Sequence, residues 1–210
     1  KTLLKELDLN ALNKPKFGRE ITEKDFGKAL DIYCALKTIV DEYGLDGVSL
    51  RCFDLLTVLG NTGCLALAIL NSQGVVATCE GDVPALLSMC IANKKYGTPG
   101  FQANLSRIDG EKLLFAHCTV PLNIVSGYCY DTHFESGIGV AIHGTIPAGP
   151  AKILKVSPDC TEMFLEDVNI IENQYNDNLC RTQITVAAPG LADYFLRSSI
   201  GNHHIIIPTR

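Results

Sequence analysis

Residues 74–84 read GVVATCEGDVP, and this stretch decides the first half of the fold. The apolar run that opens it is typical of a buried β-strand over residues 74–79. Asp82 takes the N-cap position of a helix with a proline in its first turn, predicted over residues 84–96 and ending at Gly97. A strand that passes through an acidic turn into a helix indicates a parallel α/β unit, which binds ligands at the carboxyl end of its strands.

The residues before this stretch show the same alternation of helix and strand. Thr22 and Asp25 have the spacing of a capping box, and apolar residues follow at helical spacing until Gly44. After this helix, residues 47–53 are short, apolar and β-rich, and residues 65–71 have a helical pattern. The amino-terminal part is therefore predicted to be a partial α/β domain.

From about residue 98 the pattern changes to closely spaced β-type runs separated by Gly and Pro. The runs are residues 113–120, 139–146, 151–156, 163–171, 179–186 and 205–207. Such spacing predicts an antiparallel barrel or sandwich, with one helix over residues 191–197. We therefore predict α/β followed by all-β: a partial α/β domain over residues 1–97, whose first 20 residues are linker-like, and a β-barrel-like domain over residues 98–210.

Composition excludes several classes of function. The net charge is -5 and no basic run occurs, so nucleic acid is not an expected partner. No apolar stretch reaches the roughly 20 residues of a membrane span. The nine cysteines are odd in number and contain no Cys-x-x-Cys pair, which favours reduced thiols in a reducing compartment. We therefore expect a cytosolic protein without a membrane or nucleic-acid partner.

Glu80 and Asp82 are the first candidates for chemistry. They flank Gly81 at the predicted carboxyl end of a strand, where the amino terminus of the next helix also faces the site. Asp82 is interpreted first as a helix cap. For Glu80 the alternatives of a functional acid and a solvated side chain stay open.

Three histidines are further candidates. His117 lies in an apolar run, where a lone histidine is more often a satisfied core residue than a ligand. His203 and His204 directly precede the apolar run at residues 205–207, so their imidazoles are predicted to point to opposite faces of a strand. Because an apolar core offers no partner for both rings, we expect one of the pair to face polar groups.

A polar segment adds Asp131, His133 and Glu135 at alternate positions. A strand would place all three on one face, and together they form a ligand set for a hard or borderline cation. The same residues also suit a polar turn before the apolar run at residue 139, which we favour. A nucleophile elbow, a phosphate loop and a dinucleotide fingerprint are all absent from the sequence.

Three motifs in order along the chain resemble the second half of the fucose/arabinose isomerase group, and a fourth segment, the third of those below, adds to the resemblance. They are CEGD at residues 79–82 followed by ALL, FAH at residues 115–117 followed by Pro121, DTHFESG at residues 131–137, and GNHH at residues 201–204. The third makes the chain especially similar to fucose isomerase-like proteins. The resemblance covers roughly residues 45–207, and several motifs in the right order are more specific than any one of them.

The resemblance implies an α/β domain before a β-barrel and a manganese-type ion. It implies Glu80, His117 and His204 as metal ligands, with Glu80 also the base of an aldose–ketose isomerisation through an enediol. The further acid of the family pattern corresponds here to Asn104, which we assign to both the metal and the catalytic set. An amide can offer its carbonyl oxygen to a cation but cannot exchange a proton.

We assign the neighbouring polar groups Asp82, His133, Glu135 and His203 to substrate binding. The resulting prediction is a Mn²⁺-dependent or other divalent-cation-dependent sugar isomerase of fucose or arabinose type, with a replacement acid from Asp82, Asp131 or Glu135. The alternative is a catalytically impaired sugar- or metal-binding domain, because Asn104 stands where an acid is expected. A third hypothesis is that the site takes a sugar acid. The resemblance also implies a homo-oligomer and further α/β structure before the matched region.

Overall fold

The computed structural model describes residues 19–209, so nearly all of the predicted linker-like start lies outside the described residues. The helices are α1 (Glu23–Tyr43), α2 (Cys52–Val58), α3 (Cys64–Ser72), α4 (Val83–Tyr96) and α5 (Ala192–Arg197). The strands are β1 (Gly47–Ser49), β2 (Val76–Thr78), β3 (Phe101–Asp109), β4 (Lys112–His117), β5 (Gly127–Asp131), β6 (Ala141–Thr145), β7 (Gly149–Val156), β8 (Met163–Asn173), β9 (Thr182–Ala187) and β10 (His204–Pro208). No helix among these residues is long and apolar enough to cross a membrane.

The amino-terminal part is a small parallel α/β unit. Strands β1 and β2 pair in parallel, and every residue of α3 from Cys64 to Asn71 is buried. Asn71 fixes β2 to α3, because its side chain both donates to the Ala77 carbonyl and accepts from the Ala77 amide. Helix α1 begins with the predicted capping box and ends at Gly44 in the left-handed conformation. These features confirm the parallel pairing expected from the alternating pattern.

The carboxyl-terminal part is a closed six-stranded antiparallel barrel with the strand order β10-β3-β4-β9-β8-β7. Strands β5 and β6 form a separate antiparallel hairpin. The barrel interior is filled by alternate apolar residues of the strands, such as Phe101, Phe115, Ile153, Ile184 and Ile206. Closure removes the free edges of the sheet. The structure therefore confirms the predicted fold class, α/β followed by an antiparallel barrel.

Strand β10 is one of the strands through which the barrel contacts the α/β unit. Ile206 points into the barrel, whereas Ile205 and Ile207 pack outward against the α/β unit. The outward residues meet Val76 of β2 and Met89 of α4, all of them buried. Burying one such side chain contributes roughly 1.5–3 kcal/mol. The carboxyl end of β2 is thereby held beside the barrel wall.

Three local expectations were wrong or incomplete. Residues 52 and 53 were predicted to continue a strand but begin α2. Strand β3 was not predicted, because Gln102 and Asn104 interrupt its apolar pattern, and β5 was missed as well. The boundary at residues 97 and 98 falls between α4 and β3, and its role as a domain boundary stays a prediction.

Candidate metal centre

The turn after β2 presents the first acidic side chain. Glu80 and Gly81 both have left-handed backbones, with φ of 65° and 67°. A residue other than glycine in this region costs about 1–3 kcal/mol, and such strain is concentrated at functional sites. On the barrel side, the Gln102 side chain accepts from the Cys79 amide at 2.9 Å and donates to the Cys79 carbonyl at 3.3 Å. The barrel therefore holds the turn that displays Glu80.

Glu80 meets two buried histidines from the barrel. Its Oε1 lies 3.5 Å from His117 Nε2 and its Oε2 lies 3.4 Å from His203 Nε2. One candidate ligand atom from each of the three residues lies within 4.8 Å of the others. Two ligands about 2.1 Å from one cation are about 3 Å apart when they bind at right angles. The three side chains can therefore hold one metal ion after small adjustments.

The groups around Glu80 keep its side chain in the ionised, carboxylate form. Interaction with His117 first, and then with His203, holds the pKa of Glu80 well below its usual range. Burial lowers the pKa of His117 and outweighs the opposing effect of Glu80. Burial also acts to lower the pKa of His203, but the neighbouring Asp82 and Glu80 carboxylates outweigh it and raise the pKa. Glu80 is thus charged at neutral pH and exposed over 27% of its side chain, enough to meet a ligand.

His203 is oriented for metal binding by a second carboxylate. Its Nδ1 lies 2.8 Å from Asp82 Oδ2, and with Asp82 ionised this nitrogen carries the proton. Its Nε2 is buried, and no residue within 19–209 forms a hydrogen bond with it. In the neutral ring this leaves a lone pair facing the Glu80 carboxylate, a repulsive arrangement unless a proton or a cation lies between them. Carboxylate–histidine pairs of this kind commonly orient metal ligands.

His117 is less well prepared than His203 to bind a metal ion. Its Nδ1 accepts from the Thr119 amide at 3.2 Å, so in the neutral ring Nε2 carries the proton and points toward Glu80. Binding a metal through Nε2 requires this proton to leave and the hydrogen bond from Thr119 to be given up. His117 is therefore the weaker of the two imidazole candidates.

Asp82 caps helix α4, as predicted, and also contacts His203 and Lys155. Its Oδ1 accepts from the Ala85 amide at 2.7 Å, which is the predicted N-cap of α4. Its Oδ2 accepts from His203, and the Lys155 ammonium lies 3.6 Å from the same oxygen. Lys155 is 1% exposed and was not identified in the sequence.

His204 lies on the other side of β10 from this cluster. Its Nε2 is 2.9 Å from the Tyr194 hydroxyl, and its ring packs against Phe164 and Phe195. Burial lowers its pKa to about 4. The predicted opposite orientation of the two imidazoles is thus observed. As a correction, the structure brings His203 rather than His204 to Glu80, because side chains alternate along a strand.

Asn104 lies beside the cluster. The antiparallel pairing of His204 with Ala103 places the next residues, His203 and Asn104, opposite each other on the same face. Gln102, two residues earlier on β3, points from this face to Cys79. Asn104 is partly exposed, so its amide is not sealed in the core.

The segment around His133 forms a turn, the alternative that we favoured. The His133 amide donates to the Ile138 carbonyl and the Gly137 amide donates to the His133 carbonyl. Burial first, and then the nearby charge of His117, lowers the pKa of His133 to about 4. Asp131 is buried and its Oδ1 lies 3.8 Å from Arg181, whereas Glu135 is exposed. The alternating positions therefore do not share one strand face, and only His133 is close to the cluster.

Comparison with known proteins points to sugar isomerases. No family model matches the chain. The sulfoquinovose isomerase of Clostridium sp. (strain MSTE9) is 28% identical over 130 residues, covering 59% of this chain and 28% of that protein. The sulfoquinovose isomerase of Priestia aryabhattai is 28% identical over 147 residues, covering 65% and 33%, and that of Alkalicoccus urumqiensis is 30% identical over 88 residues, covering 40% and 20%. The chain spans a third or less of the length of these curated relatives.

Proposed function

We propose that this chain provides the divalent-metal site of an aldose–ketose sugar isomerase. The observation that carries the proposal is the Glu80, His117 and His203 cluster, whose His203 Nε2 is buried against a carboxylate with no hydrogen-bond partner in the described residues. The similarity to proteins named sulfoquinovose isomerase supports the same general chemistry. Metal dependence and the identity of the sugar are part of the proposal.

Glu80, His203 and His117 would hold the ion, with the Asn104 carbonyl oxygen as a further donor. Mn²⁺ is the cation expected from the family resemblance, and the carboxylate and amide oxygens suit it. When bound, such an ion polarises neighbouring sugar oxygens and so acidifies the carbon-bound proton between them. His203 takes the ligand place first assigned to His204, because Asp82 fixes its tautomer with Nε2 toward Glu80.

Glu80 is also the proposed base. Aldose–ketose conversion takes a proton from C2 and returns it to C1, and a partly exposed carboxylate suits both steps. Asp82 is engaged by His203, Ala85 and Lys155, so it is a positioning group. Asn104 can donate a hydrogen bond to a sugar hydroxyl but cannot relay a proton. The second acid of the reaction is therefore missing from this cluster among the described residues.

This missing acid supports a second candidate, a metal- or sugar-binding domain that does not turn over substrate. Asn104 lies opposite His203, where an acid is expected from the family resemblance. Asn104→Asp separates the two candidates. If the amide is the defect, the variant gains isomerase activity and binds Mn²⁺ about tenfold more tightly, because it adds a charged ligand. If activity falls from a measurable wild-type level, the amide is matched to the reaction and the impaired-domain candidate is wrong.

The substrate is proposed to be an aldose, and a sulfonated sugar comes first because the matched relatives are named for sulfoquinovose. A panel of sulfoquinovose, fucose, arabinose and a uronic acid, incubated with Mn²⁺ and followed by NMR, tests this order. Conversion of fucose or arabinose alone would favour the type expected from the sequence motifs. Conversion of the uronic acid would favour the sugar-acid hypothesis.

The metal site has its own test, which does not depend on turnover. We expect Mn²⁺ to bind the wild-type chain in calorimetric titration and Glu80→Gln to weaken binding by about 100-fold or more, since removing a carboxylate ligand exceeds the 10–100-fold typical of outer groups. Glu111→Gln, an exposed residue on the turn between β3 and β4, is the matched control for loss of one charge. Equal Mn²⁺ affinity in Glu80→Gln and Glu111→Gln would show that Glu80 does not bind the metal and would contradict the proposed site.

A further inference from the structure

Two thiols meet directly behind the Glu80 turn. Cys52 is the first residue of α2, and Cys79 immediately precedes Glu80. Their sulfur atoms are 2.9 Å apart, with the Cys79 thiol as donor, although they are 27 positions apart in the sequence. The S–S bond of a disulfide is about 2.05 Å long, so the two atoms need to approach by only about 0.9 Å.

We propose that Cys52 and Cys79 form a reversible disulfide that fastens α2 to the turn carrying Glu80 and thereby regulates the metal centre. The regulatory part rests on the proposed function, whereas formation of the bond does not. All nine cysteines are free in the structure, so the thiol form is the starting state. The oxidant is a small peroxide.

The chemistry is a two-electron oxidation of the pair. The Cys52 sulfur, which accepts the hydrogen bond, attacks one peroxide oxygen; the O–O bond breaks, giving a sulfenic acid on Cys52 and one water. The Cys79 sulfur then attacks the Cys52 sulfur, the S–O bond breaks, and hydroxide leaves with the remaining thiol proton as a second water. Two thiols and one hydrogen peroxide become one disulfide and two waters. A dithiol reductant restores both thiols by exchange.

The positions of the two residues give the oxidant a path. Cys52 and Cys79 are only 6% and 3% exposed, so access needs a local opening. Helix α2 is short, and Arg51 and Phe53 on either side of Cys52 are exposed. Short, exposed elements of this kind open at the lowest free energy. Cys79 is held in place by Gln102, so α2 is the side that moves.

The bond would stiffen the turn that presents Glu80. The turn is already tied to the segment before α2, since the Gly81 amide donates to the Leu50 carbonyl and the Leu50 amide donates to the Thr78 carbonyl. A covalent link from Cys52 to Cys79 closes the same loop and opposes opening of the left-handed Glu80 backbone. A ligand held in its binding geometry loses less entropy when the ion binds. Oxidation is therefore expected to strengthen metal binding, and reduction to weaken it.

Peptide mapping after peroxide treatment tests the bond itself. The reduced, metal-free 210-residue chain is treated with hydrogen peroxide, alkylated in denaturant and digested. We expect a Cys52–Cys79 peptide and two fewer alkylated thiols, both reversed by dithiothreitol and both absent in Cys52→Ser. Cys34→Ser, which changes an exposed thiol, should still form the link. Oxidation only of Cys34 and Cys160, or a link between Cys118 and Cys180 instead, would overturn the proposal.

Two measurements on the oxidised wild type test whether the disulfide stabilises the turn that carries Glu80. Closing a loop of this length should raise Tm by about 5 °C or more. The Mn²⁺ affinity should rise on the order of threefold, and Cys52→Ser should show neither change after the same treatment. If the disulfide forms but neither Tm nor Mn²⁺ affinity rises, the bond is real and the proposed regulation of the metal centre is wrong. If neither redox form binds Mn²⁺, the proposed metal function fails independently of the mapping result.

Discussion

The two faces of β10 place neighbouring histidines in opposite environments. On the outer face His203 lies between Asp82 and Glu80, with one nitrogen hydrogen-bonded and the other free for a ligand. On the inner face His204 bonds to Tyr194 inside a group of aromatic rings. Both imidazoles are 1% exposed, so burial does not distinguish them. The difference shows that the partners of a buried histidine, rather than its burial, decide whether it can bind a metal.

The largest expected effect comes from removing the charge behind His203. Asp82→Asn keeps an N-cap for α4 but leaves the buried Lys155 without its carboxylate. Losing one member of a buried ion pair costs about 3 kcal/mol of folding free energy. The change should also weaken Mn²⁺ binding by about 10–100-fold, because His203 loses its orienting group. Urea unfolding and Mn²⁺ titration measure the two effects.

Asp54→Asn is the control for Asp82→Asn, since Asp54 is an exposed acid whose ion-pair partner, Arg51 directly before α2, is exposed as well. It should change stability by about 0.5 kcal/mol or less. An Asp82→Asn protein as stable as this control would mean that the outer face of β10 does not depend on the carboxylate.

A smaller effect is expected on the inner face. Tyr194→Phe removes the hydroxyl that bonds His204 and the Ile200 amide but keeps the ring stacked on Phe164. Losing these hydrogen bonds should cost about 1–2 kcal/mol of stability. Mn²⁺ affinity should stay within about twofold of the wild type, because Tyr194 bonds His204, which points to the opposite face of β10 from His203. Weaker Mn²⁺ binding in Tyr194→Phe would show that the two faces are coupled.

The smallest effect is expected far from β10, at the start of α1. Hydrogen bonding from Arg19 holds the pKa of Asp25 well below the usual range of an aspartate. This stabilisation is present above pH about 4 and is lost as pH falls toward the folded-state pKa. Asp25→Asn should cost about 0.5–1 kcal/mol at pH 7, because the Arg19 side chain of the pair is 43% exposed, and the difference from wild type should shrink in acid. A difference that grows as pH falls would contradict the assignment.

The sequence predicted the main elements and the opposite orientation of the histidines. Capping residues such as Thr22 and Asp82 act locally, so they marked helix ends that the structure confirms. Strand β3 was missed because two of its residues, Gln102, which holds Cys79, and Asn104, are polar and disrupt its pattern. Sites of function often break local sequence rules in this way.

Which histidine of the pair faces Glu80 was not decided by the residues themselves. Alternation places His203 and His204 on opposite faces, but only the pairing of β10 with β3 and β7 shows which face is the barrel interior. Lys155 escaped notice for the same reason, because its partner Asp82 lies 73 positions away in sequence and meets it only across the contact between the α/β unit and the barrel. Long-range contacts of this kind are not visible in local patterns.

The most direct measurement is a Mn²⁺ titration of wild type, His203→Asn and His204→Asn, with folding of each checked by circular dichroism. We expect His203→Asn to weaken Mn²⁺ binding by about 100-fold or more, since it removes a ligand, and His204→Asn to change it by about threefold or less. His204→Asn should instead lower stability, because it opens the contact with Tyr194. Loss of Mn²⁺ binding in His204→Asn with normal binding in His203→Asn would contradict the metal centre described for the outer face of β10.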